Sequence, residues 1–87
     1  MGRKYFSLPS GGYDFVFKYD DSEPDLLHIY ARHLINPDIA IETWFEGEKE
    51  VWNTQFNRYE TSSEFYTVYW FWLKESKAVM IISCFRR

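Results

Sequence analysis

Six side chains hold most of the reactive chemistry in this 87-residue chain: His28, Arg32, His33, Arg58, Glu60 and Arg86. Metal-free cleavage of RNA needs a base for the 2′-hydroxyl proton and an acid for the leaving oxygen. It also needs a fixed cation beside the pentavalent phosphate. His28, His33, Glu60 or a tyrosine (Tyr66, Tyr69) suits the proton-transfer roles. Arg32, Arg58 and Arg86 suit the cationic one, because a planar guanidinium fork matches phosphate oxygens. The same residues also have a plain structural reading. The two histidines fit half-buried helix positions with a satisfied hydrogen bond, and Arg58 with Glu60 fits a solvated pair in a loop.

Other chemistries find little footing. His28 and His33 are five apart, so a helix does not place them on one face as a metal pair requires, and no metal is expected. Gly11-Gly12 and Gly47 make neither a phosphate-binding loop nor a dinucleotide fingerprint, so no cofactor is expected. Cys84 lies in the apolar run Val79-Met80-Ile81-Ile82-Ser83-Cys84-Phe85 and reads as a small buried residue rather than a nucleophile. A single thiol gives no internal disulfide, which points to a cytoplasmic setting.

The formal charge of −3 is the wrong sign for a chain whose main task is gripping nucleic acid. It leaves room for one local basic site. No apolar stretch reaches the ~20 residues of a membrane span. Met1-Gly2-Arg3-Lys4-Tyr5-Phe6 has basic residues with no apolar run behind them, unlike a signal peptide. Aromatic residues, 22% of the chain, are too many for a thin core to hide, so some rings are expected at the surface.

The elements that would position these residues form one domain over 1–87. Residues 1–12 read as a polar lead-in closed by a Pro9-Ser10-Gly11-Gly12 turn. Tyr13-Asp14-Phe15-Val16-Phe17-Lys18-Tyr19 alternates as a strand does. Ser22 is the expected cap of a helix over about 23–34, carrying Leu26, Ile29, Tyr30 and Leu34 at helical spacing. Asn36-Pro37 restarts a second helix that Gly47 stops. Its acidic surface argues against a DNA-reading helix pair. Lys49–Phe56 alternates, 57–63 reads as a polar connection, and Phe65–Leu73 is apolar on both faces, as in a central strand. Lys74-Glu75-Ser76-Lys77 is the expected hairpin loop before a last strand, Ala78–Phe85. The expected fold is α+β, in the order β-α-α-β-β-β, with two short helices on an antiparallel sheet.

Arg32-His33-Leu34-Ile35-Asn36-Pro37-Asp38-Ile39-Ala40-Ile41-Glu42-Thr43-Trp44-Phe45 resembles the helical hairpin of the BrnT-type toxins: a basic residue and His, a turn, a polar cap, an acidic residue, Ala and an aromatic. Val79–Arg87 is similar to that family's closing strand, in which apolar residues run into Ile-Ser and then basic residues. The resemblance covers residues 24–87. It implies a RelE-like fold and a toxin-type endoribonuclease, acting without a metal and paired with an antitoxin. A rival expectation comes from acidity and excess aromatics: a non-catalytic inhibitor, such as an immunity protein or a phage anti-defence or anti-CRISPR protein. Its target would be a nuclease or a nucleic-acid-binding protein. Charge placement separates the two. A toxin gathers Arg32, Arg58 and Arg86 around one concavity, whereas an inhibitor shows an acidic face studded with aromatics.

Overall fold

A computed structural model describes residues 4–47, 49–73 and 77–87, with the backbone alone at Lys49. It is a small α+β arrangement of two helices and a six-stranded mixed sheet. In chain order the elements are β1 (Tyr5–Ser10), β2 (Tyr13–Lys18), α1 (His28–His33), α2 (Pro37–Glu46), β3 (Lys49–Asn53), β4 (Arg58–Ser62), β5 (Tyr66–Leu73) and β6 (Ala78–Arg86). The sheet order is β1-β2-β6-β5-β4-β3.

Four expectations are corrected. Most of the supposed lead-in is strand β1, with Phe6 and Leu8 packed against the core and Ser7 and Pro9 turned outward. Pro9 is tolerated because β1 is an edge strand, where a missing N–H breaks no ladder. Gly11 and Gly12, with φ of 57° and 88°, make the two-residue turn into β2 that only residues free to adopt positive φ form easily. The polar connection contains β4, whose Tyr59 and Thr61 face the core while Arg58 and Glu60 face away. The sheet is mixed, because β2 runs parallel to β6. A chain that leaves β2 through two helices and three strands returns in that direction. The element order is therefore β-β-α-α-β-β-β-β.

The first helix is also shorter than expected. Asp20 captures the segment before it: Asp20 Oδ2 accepts from the amides of Ser22 and Glu23 at 3.0 Å each. Its own amide donates to the Leu26 carbonyl, so residues 20–26 loop back instead of winding. Ser22 caps nothing, and Leu27 precedes the first helical residue. Leu34 ends α1 in the left-handed region, φ 56°, and Ile35 N–H closes back onto the Ile29 carbonyl. The expected second helix forms from Pro37 to Glu46, between Asn36 and Gly47. The expected hairpin loop lies outside the described residues except for Lys77.

Both helices pack on one face of the sheet. Ile29, Ile35, Ala40 and Ile41 join Phe15, Phe17, Val68, Trp70, Val79, Ile81 and Cys84 in one core. Phe65–Leu73 was expected to be central, and β5 lies inside the sheet between β6 and β4. Trp44 on α2 meets Tyr13, Phe15, Trp70 and Trp72 with ring centres 5.1–5.8 Å apart.

Candidate functional site

The six sequence-derived residues fall into three groups. His28 and Arg32 project from α1 onto Asp20, which sequence reasoning did not select. Asp20 is 3% exposed, and its Oδ1 lies 3.2 Å from His28 Nδ1 and 3.0 Å from Arg32 Nε. Arg32 Nη2 also donates to Ser22 Oγ at 3.3 Å. Burial alone would raise the Asp20 pKa. The Glu23 amide, His28, the Ser22 amide and Arg32 outweigh it and hold the carboxyl below its ordinary value. The signal that could have found Asp20 was an Asp two and three residues before free amides, the pattern by which Asp folds a turn onto itself. A carboxylate behind one imidazole nitrogen fixes the ring and leaves the other to move a proton. Yet the cavity beside Asp20, about 370 Å³ and lined by Lys4, Tyr5, Lys18 and Tyr19 among others, includes neither His28 nor Arg32.

His33 and Arg86 form the second group. Arg86 Nη1 donates to the His33 carbonyl at 3.3 Å, which satisfies a carbonyl at the end of α1. The His33 ring stands 5.9 Å from the Phe85 ring, centre to centre.

Arg58 and Glu60 form the third, on the sheet face that carries no helix. Glu60 Oε2 accepts from Arg58 Nε at 3.0 Å and from Asn53 Nδ2 at 2.9 Å. The Arg58 guanidinium lies over Tyr69 at 3.7 Å and over Phe56 at 4.6 Å. Asn53 Oδ1 accepts from the amides of Gln55 and Phe56, and Asn57 takes a positive φ of 52°. This pinned turn between β3 and β4 ends the alternation expected to continue to Phe56. Tyr69 touches Phe85, ring centres 5.0 Å apart, so Arg58 and His33 are joined through two aromatic rings.

Each of the three arginines is therefore engaged: Arg32 by Asp20, Arg58 by Glu60 and Arg86 by a carbonyl. None of the three lines any of the cavities described in this structure. Burial pushes the Cys84 thiol up to about 11, which keeps it protonated and unreactive near neutrality. Among the described residues no His, Cys, Asp and Glu cluster of three could hold a metal ion, and no helix is long and apolar enough to cross a membrane.

Among the described residues, three carboxylates without an ion-pair partner stand together on α2. Asp38, Glu42 and Glu46 repeat every four residues along its exposed side and make no ion pair among the described residues. A groove of about 440 Å³ runs between this ridge and β1, lined by Leu8, Pro9, Ile41 and Phe45 together with the three carboxylates. A smaller one of about 120 Å³ flanks Glu42 and Glu46 on the other side, where Phe65 and Tyr66 line it. Phe45 is 46% exposed and Phe65 66%.

No family model, curated protein or solved structure matches this chain.

Proposed function

We propose that this protein is a non-catalytic binding protein of the inhibitor class, which presents the acidic face of α2 to a basic nuclease or nucleic-acid-binding partner. One observation carries the reading: the arginines needed for RNA chemistry are each engaged by a different neighbouring group, while the charges on α2 are carboxylates without an ion pair among the described residues, flanked by grooves with apolar lining. Like charges four apart weaken a helix by about 0.2–0.5 kcal/mol per pair, and Glu46 faces the negative end of the helix dipole. A basic partner relieves both costs. Rim carboxylates steer such a partner, and exposed aromatics beside them supply contact area.

The toxin-type ribonuclease implied by the BrnT resemblance remains the second reading. The contact string His33–Phe85–Tyr69–Arg58 favours it, since it links an imidazole to a guanidinium through two rings. Induced expression in bacteria separates the readings. Normal growth with intact RNA supports the binding protein. Growth arrest with loss of RNA, relieved by Arg58→Ala or His33→Ala, supports the toxin.

A further inference from the structure

At the C-terminal end of α2 lies a cavity of about 190 Å³, lined by Tyr13, Trp44, Gly47, Glu50, Trp70 and Trp72 among others. Trp44, Trp70 and Trp72 meet one another at interplanar angles of 74°, 87° and 88°, forming the corner of an aromatic box. Tyr13 adds a fourth ring, 5.1 Å from Trp44 and 5.8 Å from Trp72. Trp44 and Trp72 are only partly buried. Edge-to-face rings leave part of their negative π surface uncovered, and that surface attracts cations.

Two further features point the same way. Glu50 is exposed at the rim on β3 and has no ion-pair partner among the described residues. Gly47 follows the last residue of α2, so the negative end of the helix dipole is directed here. A Cβ at Gly47 would collide with the Thr61 methyl, which keeps this wall bare backbone. The Trp44 indole N–H is buried with no acceptor among the described residues. Such a donor ordinarily finds a partner.

We infer that this cavity receives a cationic side chain, arginine or lysine, of the protein partner; the inference rests on the binding reading above. The carboxylates of α2 run up to its mouth, since Glu46 adjoins Gly47, and this continuity assigns the cation to a macromolecule rather than a free ammonium compound. The guanidinium or ammonium group lies against the indoles, with Glu50 as counter-charge.

The test follows the indole N–H resonances by NMR while the folded protein is titrated with three probes. They are N-acetylarginine amide, its neutral counterpart N-acetylnorleucine amide, and choline as a free quaternary ammonium. The arginine probe is expected to shift the Trp44 and Trp72 signals saturably and to bind about tenfold or more tighter than the norleucine probe, a difference typical of one good polar contact. Glu50→Gln, at an exposed position, should weaken it about two- to fivefold with the fold unchanged by circular dichroism. Equal binding of the neutral probe, no response to arginine, or preference for choline overturns the inference. Cleavage of RNA by the protein would sink the binding reading itself. Uncut RNA with a failed titration would sink only this cavity's role.

Discussion

Arg58 sits over Tyr69, its guanidinium carbon 3.7 Å from the ring centre, with its Nε held by Glu60. The contact spans neighbouring strands, β4 and β5, on the face without helices. Both charged side chains of the pair are largely sheltered, 19% and 27% exposed. The arrangement behaves as a cross-strand clamp. Arg58→Lys keeps the charge and loses the planar stack, and should cost about 0.5–1.5 kcal/mol in urea unfolding. An unchanged midpoint would show that the stack contributes nothing to the sheet.

Asp20 is expected to contribute to the acid limb of stability. Its folded pKa lies below the value near 3.8 of a free side chain. Its contribution is therefore fully present above that value, and is lost as pH falls through the lower folded value. Asp20→Asn should destabilise the fold at neutral pH and flatten the fall in melting temperature below about pH 4. Parallel acid limbs for wild type and variant would remove Asp20 as their source.

The left-handed end of α1 can be improved. Leu34 is 67% exposed with φ 56°, a conformation that costs an L-residue about 1–2 kcal/mol. Leu34→Gly should raise stability by up to about 1 kcal/mol once glycine's own entropy is counted. Leu34→Val should lower it, because a β-branched side chain fits that region worse. Thermal unfolding of the two variants checks the order, and a more stable Val variant would contradict it.

The value of Trp44 lies in its rings more than its N–H. Trp44→Ala should cost about 3 kcal/mol or more, given its aromatic neighbours on the sheet. Trp44→Phe should cost clearly less, since it keeps a ring and deletes a donor that lacks an acceptor among the described residues. Equal losses in guanidinium unfolding would show that the donor is satisfied after all.

Alternation made the strand around Phe15 legible, runs apolar on both faces did so for those around Trp70 and Val79, and capping grammar did the same for α2 between Asn36 and Gly47. In these segments local preference and the final fold agree. β1 was hidden because Pro9 and two serines dilute its alternation, and only pairing with β2 makes it a strand. β4 was hidden because four of its five side chains, all but Tyr59, are polar or charged, and they have tertiary partners: Thr61 accepts from Trp70 Nε1 at 2.9 Å, and Glu60 binds Arg58. Of the candidate residues, the Arg58–Glu60 pair was readable from its two-residue spacing. Asp20 was not, because its partners His28 and Arg32 lie 8 and 12 residues on and reach it only after the 20–26 loop has closed.

The most direct test of binding without cleavage is incubation of the purified chain with labelled RNA in the presence of a chelator, followed by gel analysis over time. The account predicts intact RNA at every time point, and the same result for Arg58→Ala and His33→Ala. Cleavage by the wild type that drops by about 10²–10⁴-fold in His33→Ala would contradict it and assign the acid–base role to that histidine.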